Sequence, residues 1–124
     1  MRDKLTEAYM RIGEVCLNTN DVLKLANFYK QLLGIENGSN DEIHQTLISE
    51  ETQFAIYNDG SMKNNNNQNV CLAFTVDDVD AEYQKLLAMG AEIIEKPTKR
   101  PWGTTNMSFY DPDGNVIYFR SFSD

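Results

Sequence analysis

Hydrophobic and polar positions alternate near the start of the chain and then change to a helical period. Residues Glu14 to Thr19 alternate between polar and apolar, which predicts a half-buried strand. Apolar residues then recur at spacings of three and four up to Leu33, which predicts an amphipathic helix. Asn20 or Asp21 can cap its start, and Gly34 suits the left-handed position that ends a helix. This is the most regular pattern in the chain.

Two short strands are expected after this helix, at residues 42–49 and 52–57, separated by a polar turn. The segment that follows contains four consecutive asparagines, residues 64–67, and is too polar to enter a core. We therefore expect a first unit over about residues 12–58 and a linker over about 59–69.

The second half, about residues 70–122, repeats this order. A strand is expected at residues 71–76, a cap at Asp77 or Asp78, a helix that ends at Gly90 and a strand at 91–95. A loop with Pro97, Pro101 and Gly103 comes next. Two final strands, 105–110 and 115–122, are joined by Asp-Pro-Asp-Gly-Asn, a sequence typical of a hairpin turn.

A unit with one helix on its sheet leaves the other sheet face uncovered. Two such units placed side by side would bury those faces around a cavity. The pattern thus predicts a single α+β domain over residues 1–124, built from two repeated units whose strands form a curved mixed sheet around a cavity. Function is expected in that cavity.

Several short motifs resemble one known family. They are Phe28-Tyr29 with Leu33-Gly34 in the first helix, residues 73–81 at the start of the second unit, Pro101-Trp102-Gly103, and residues 109–115. In this order and spacing they resemble the vicinal oxygen chelate proteins, the glyoxalase, bleomycin resistance protein and dioxygenase family, over about residues 13–122. The resemblance implies that the fold consists of two repeated βαβββ units, and it leaves the reaction open.

The resemblance also implies where a metal would bind, because metal-dependent members hold a divalent ion through the first and last strands of each unit. Matching the motifs places these positions at Glu14, Cys71 and Tyr118, and the corresponding strand of unit one, residues 53–57, offers neither histidine nor carboxylate. The only histidine, His44, falls outside these positions. A thiol and a phenol suit Mg²⁺, Mn²⁺ or Ni²⁺ poorly. We therefore expect no cofactor, and a divalent metal is disfavoured.

Five residues are predicted to bind a ligand: Glu14, Cys71, Trp102, Tyr118 and Arg120. Glu14 could serve as a counter-ion, Trp102 could stack on a planar or cationic group, and Tyr118 could form a hydrogen bond. Each also has a structural alternative, such as a solvated carboxylate for Glu14 and a plug at the end of the sheet for Trp102.

Other conspicuous residues have structural explanations. Both cysteines, Cys16 and Cys71, are expected as free, buried thiols that pack as small apolar groups. The four aspartates in caps and turns are expected to act on the backbone and not as a catalytic carboxylate set: Asp21, Asp78, Asp111 and Asp113.

Charge narrows the range of partners. The 124 residues contain 19 acidic and 11 basic side chains, a net charge of −8, which argues against nucleic-acid binding. No apolar run is long enough to span a membrane or to act as a signal peptide, so no membrane partner and a cytoplasmic location are expected. The resemblance further implies a homodimer.

Three functions remain open from the sequence. The first is a metal-free cup that sequesters a small cationic or aromatic antibiotic or metabolite. The second is an enzyme of this family, either a metal-dependent lyase, isomerase or dioxygenase, or a metal-free catalyst that uses Glu14 and Tyr118. The third is a structural or regulatory dimer without a ligand.

Overall fold

The computed structural model describes residues 10, 12–36, 38–61, 67 and 70–122, and most of the predicted linker lies outside these residues. The described residues form two helices and seven strands. Unit one contains β1 (Glu14–Asn18), α1 (Val22–Leu33), β2 (His44–Ile48) and β3 (Gln53–Tyr57). Unit two contains β4 (Leu72–Thr75), α2 (Val79–Met89), β5 (Glu92–Lys99), β6 (Thr104–Tyr110) and β7 (Val116–Phe122).

The sheet of unit one has the order β1-β3-β2, with β1 parallel to β3 and β2 antiparallel to it. Within the described residues only two strands follow α1, so unit one lacks one strand of the predicted βαβββ pattern. The chain between α1 and β2 is irregular where it is described. Its polar sequence has no period-2 alternation, which explains why it forms no strand.

The sheet of unit two has all four strands in the order β4-β7-β6-β5, with β4 parallel to β7 and the other pairs antiparallel. The edge strand β5 is longer than predicted and continues through Pro97, where a loop was expected. Proline is tolerated there because an edge strand has one side free of partners. The β5–β6 register shifts twice, between Ile93 and Glu95 and between Glu95 and Thr98.

Both helices begin and end at the predicted residues. The Asp21 carboxylate accepts from the backbone N–H of Lys24 at 3.1 Å, and Asp78 does the same for Ala81 at 3.1 Å. Gly34 and Gly90 follow the helices in the left-handed conformation that glycine adopts without a Cβ clash. No helix in the described part of the chain is long and apolar enough to cross a membrane.

One hydrophobic core serves both units. The apolar face of each sheet contributes to a single cluster, and ring pairs join the units, with Phe54 and Phe74 at 5.8 Å and Phe28 and Phe109 at 6.5 Å between centroids. The polar faces of the two sheets lie opposite this core. Burial of these apolar faces removes apolar surface from water and holds the two units together.

The carboxylate of Asp111, in the hairpin between β6 and β7, joins unit two to unit one. Its Oδ1 accepts from the backbone N–H groups of Asp113 and Asn115, both at 2.9 Å, as expected of a turn residue. Its Oδ2 accepts from the Asn115 amide at 2.8 Å and from the Tyr29 hydroxyl of α1 at 2.6 Å. Burial and this carboxylate both raise the pKa of Tyr29, so the phenol stays protonated and donates.

Asp113 makes a second connection between the units. Its Oδ2 accepts from the Thr19 hydroxyl at 2.6 Å, and that hydroxyl in turn accepts from the backbone N–H of Asp21 at 3.0 Å. The Nζ of Lys24 lies 3.7 Å from the other carboxylate oxygen, which has no hydrogen bond. Burial raises the pKa of Asp113, and the Thr19 hydrogen bond opposes that shift.

We predict that Tyr29→Phe lowers the free energy of unfolding by about 1–3 kcal/mol, because it removes a donor from a buried carboxylate and leaves the packing of the ring intact. Urea unfolding at neutral pH measures this change. The control is Tyr83→Phe, on a half-buried tyrosine of α2, which should change the free energy of unfolding by less than about 0.5 kcal/mol. Equal effects of the two substitutions would contradict the role given to Asp111.

We also predict that the cost of Thr19→Val depends on pH. A folded-state pKa above the ordinary 3.8 means that ionised Asp113 disfavours the folded state, an effect absent below pH 3.8 and complete above the raised pKa. Removing the Thr19 donor raises that pKa further. The substitution should therefore cost more at pH 7 than at pH 4, measured by urea unfolding at both pH values. In an Asp113→Asn background this pH dependence should disappear; if it persists, another group is responsible.

Candidate functional site

The polar face of the unit two sheet consists of side chains that point away from the core, and we call it the open face of unit two. The strand register arranges them in rows that cross β5, β6, β7 and β4. One row holds Glu95, Ser108, Tyr118 and Ala73, the next holds Thr98, Asn106, Arg120 and Thr75, and Thr104 and Phe122 lie beyond them. Two of the predicted ligand-binding residues, Tyr118 and Arg120, therefore lie side by side on one face.

Tyr118 projects from the central strand β7 between two small residues. Its cross-strand neighbours are Ala73 on β4 and Ser108 on β6, and Tyr118 itself is half-buried. Ala73 is exposed and leaves the β4 side of the phenol ring open, whereas Ser108 is buried. The site can thus accept a flat group against the ring, with the hydroxyl available for a hydrogen bond.

Arg120 is exposed but held in place. Its Nε donates to the hydroxyl of Thr75 at 3.0 Å, and its guanidinium lies 5.0 Å from the centroid of the Phe122 ring. A cation above an aromatic face is attracted by the ring quadrupole. These two contacts fix the side chain and leave its terminal nitrogens directed to solvent or to a ligand.

A second arginine on this sheet is neutralised. Arg100, directly after β5, forms an ion pair and hydrogen bond with Glu95 of that strand, and its backbone N–H donates to the carbonyl of Thr104 at 2.7 Å. Near this end of the sheet two buried polar atoms lack hydrogen bonds, Oγ1 of Thr104 and Oδ1 of Asn106. Such atoms are uncommon in folded proteins and are often completed by a ligand or an ordered water.

Trp102 lies in the turn between β5 and β6 and is 70% exposed. It therefore does not plug the end of the sheet, which was the structural alternative from the sequence. Trp102 is part of the turn that leads into Thr104, the first residue of β6. It can contact a ligand on the open face of unit two only near that end.

Glu14 lies on the other sheet, at the start of β1. The open face of unit one is formed by paired residues of β1, β3 and β2 that point away from the core. Its side chains are those of Glu14, Cys16, Asn18, Gln53, Ala55, Tyr57, Thr46 and His44. Burial raises the pKa of the Cys16 thiol, and the negative charges of Glu14 and Asp59 raise it further. This face is therefore acidic, and its cysteine is a protonated thiol and not a nucleophilic thiolate.

The cysteine expectation needs a correction. Cys16 is partly buried, whereas Cys71 is exposed and precedes β4. Cys71 immediately precedes β4, whose first residue, Leu72, packs against the core. Because side chains alternate along a strand, Cys71 lies on the opposite side and does not pack in the core. Both thiols are free.

The donor atoms at the predicted metal positions do not suit a divalent ion. Glu14 belongs to one sheet, while Tyr118 and the exposed Cys71 belong to unit two. Within the part of the chain that the structure describes, no three histidine, cysteine, aspartate or glutamate side chains come together in a group that could hold a metal. Ala73 and Ser108, the neighbours of Tyr118, add no strong ligand.

The sequence did not single out Asn106, Phe122 or the Glu95–Arg100 pair. Alternation along β6 and β7 could have placed Asn106 and Phe122 on the face of Tyr118, once the hairpin register was assumed. The Glu95–Arg100 pair depends on the register shifts in β5, which the sequence gives no means to locate.

Solved structures share this architecture. A glyoxalase/bleomycin resistance protein/dioxygenase from Nocardioides is similar with a TM-score of 0.75 and 19% identity, covering 98% of this chain and 89% of that one. A protein of unknown function from Agrobacterium tumefaciens str. C58 is similar with a TM-score of 0.74 and 26% identity, covering 94% and 98% of the two chains.

Two proteins of Bacillus subtilis (strain 168) are similar to this chain in sequence. Uncharacterized protein YraH of Bacillus subtilis (strain 168) is 31% identical over 122 residues, covering 87% of this chain and 95% of that protein. Uncharacterized protein YetH of the same organism is 25% identical over 117 residues, covering 89% and 97%. The family profile matches residues 11–119, which include both units. The chain therefore belongs to the Glyoxalase/Bleomycin resistance protein/Dioxygenase superfamily.

Proposed function

We propose that this protein is a small-molecule-binding member of its family that forms a homodimer and binds its ligand without a metal. Tyr118, Arg120 and Trp102 would provide the contacts, and the physiological role would be to sequester an antibiotic or a metabolite. One observation carries the proposal: on the open face of unit two, Tyr118 is half-buried beside the exposed Ala73, and Arg120 and Phe122 are exposed next to it on the same strand.

The shape of that face favours a flat ligand. The small, exposed Ala73 leaves one side of the Tyr118 ring open, so an aromatic or conjugated group can stack or pack edge-on against it there. Phe122, which is 61% exposed, extends the apolar surface past Arg120. Apolar contact with a few placed polar groups is the usual composition of a small-molecule site.

A second copy of the chain would complete the site. The open face of unit one carries Glu14 with Asp59 close by, and the open face of unit two carries Arg120, so the two faces are complementary in charge. A twofold axis would place each unit one face opposite the unit two face of the other copy.

The metal-free part of the proposal is supported by the poor donor set at Glu14, Cys71 and Tyr118. A lyase, isomerase or dioxygenase that depends on a metal is the alternative, and binding experiments with chelated protein separate the two. A cytoplasmic location stays a prediction.

We predict that protein dialysed against EDTA binds 2-naphthamide, a neutral planar probe, with a Kd of about 1 mM, given ~0.3 kcal/mol per non-hydrogen atom for such a ligand. Amide chemical shifts in an NMR titration should change at Ala73, Ser108 and Tyr118. Tyr118→Ala should weaken binding about three- to tenfold through the lost ring contact. Leu87→Ala, on the exposed surface of α2, is the matched control and should leave the Kd unchanged.

Two outcomes would contradict this function. Binding that appears only after Ni²⁺, Zn²⁺, Mn²⁺ or Fe²⁺ is added back would favour the metal-dependent alternative. Shift changes confined to residues away from the two open faces would remove the site altogether.

We further predict that sedimentation equilibrium gives twice the chain mass of 14.2 kDa. Phe122→Glu should weaken the dimer at least about tenfold, because it loses apolar burial and meets the acidic face of the second copy. Leu87→Glu adds the same charge to an exposed leucine on α2 and should leave the mass unchanged. A wild-type monomer, or equal effects of both substitutions, would disprove the proposed interface.

A further inference from the structure

Charge on the open face of unit two is neutralised unevenly. The Arg100 guanidinium is paired with Glu95, whereas no described carboxylate lies within ion-pair distance of Arg120. The other members of its row, Thr98, Asn106 and Thr75, are uncharged. The face therefore presents one uncompensated positive charge at a defined position.

The next carboxylate on this face lies too far away to neutralise Arg120. Glu92 pairs with Tyr110, two rows from Asn106, which is roughly 14 Å along β6 at the usual rise of a strand. At physiological salt, exposed charges separated by more than about 8 Å are largely screened from each other. The charge of Arg120 is thus available to a bound molecule.

Arg120 is also prepared to bind an anion. Its Nε is already used by Thr75, and the Phe122 ring limits rotation of the guanidinium, so little side-chain freedom is lost on binding. The terminal nitrogens can donate two hydrogen bonds to a carboxylate or a similar oxyanion. Asn106 on β6 is the cross-strand neighbour of Arg120 on β7, and its buried Oδ1 has no hydrogen-bond partner. An amide in this position can order a water that bridges to the ligand.

The overall charge of the protein opposes this binding. At −8 the chain repels anions in general, so an anion retained on this face must be held by local contacts. A preference for anions would therefore report on Arg120 itself and not on a general electrostatic attraction.

We infer that the ligand is a planar organic anion, whose ring lies against Tyr118 and whose carboxylate or equivalent oxyanion is bound by Arg120. This inference rests on the proposed function, since it assigns a chemical class to the ligand of the same site. It decides against the cationic ligand that was one of the possibilities from the sequence.

Three probes that differ in charge on one ring system test this inference: 2-naphthoate, 2-naphthamide and 2-naphthamidine. At constant pH and ionic strength, NMR titration should give a Kd for 2-naphthoate about tenfold or more below that for 2-naphthamide, the ratio expected of a hydrogen bond to a charged group. The amidinium probe should bind more weakly than the amide.

Two variants identify the group responsible. Arg120→Gln should reduce the preference for naphthoate over naphthamide to less than about twofold, since it removes the charged donor. The double variant Glu95→Gln/Arg100→Gln removes the neutralised pair from the same sheet without changing the net charge, and it should retain the preference. Sedimentation of each variant shows whether the dimer is still present.

Specific results would overturn the inference. If naphthamidine binds as tightly as naphthoate, the ligand class is wrong while the binding site stands. If Arg120→Gln dissociates the dimer but leaves the naphthoate preference intact, Arg120 pairs with the second copy and not with the ligand. If none of the three probes shifts the signals of β4, β6 and β7, the proposed function fails together with the inference.

Discussion

The buried carboxylate of Asp111 is the contact on which the arrangement of the two units depends. A carboxylate removed from water is costly unless its oxygens are hydrogen-bonded. Here two backbone N–H groups, the Asn115 amide and the Tyr29 hydroxyl satisfy it. Because Tyr29 comes from the helix of the other unit, the hairpin can be fully bonded only when α1 is seated. The hairpin therefore reaches its fully hydrogen-bonded state only when the two units are packed together.

The contacts that stabilise the fold and the residues proposed to bind the ligand lie on opposite sides of the sheets. The aromatic contacts and the Asp111 network lie on the core side of the sheets, whereas Tyr118 and Arg120 lie on the opposite side. Substitutions on the open faces leave the core contacts intact, so their effects on binding can be measured without loss of the fold. The same separation allows members of one family to keep the fold and bind different molecules.

Local signals in the sequence predicted the helices and the hairpin, because Asp21, Gly34 and the Asp-Pro-Asp-Gly turn act within a few residues of their own position. The contact between Tyr29 and Asp111 spans 82 residues and leaves no periodic trace. Alternation also identified the apolar face of each sheet correctly. It could not indicate that the apolar faces of both sheets share one core. Within the candidate site, the sequence proposed Tyr118 from its motif position and Arg120 from strand alternation, whereas the neutralisation of Arg100 required the three-dimensional register.

The irregular edge strand β5 limits how the protein can associate. An exposed strand edge is a template for pairing with other chains, and proteins block such edges with proline, lysine and irregular register. Pro97, the lysines at positions 96 and 99, and two register shifts all occur within β5. Growth of the unit two sheet by strand addition at this edge is therefore opposed. In a crowded cell, where partly folded chains meet often, this edge protects the protein against ordered aggregation.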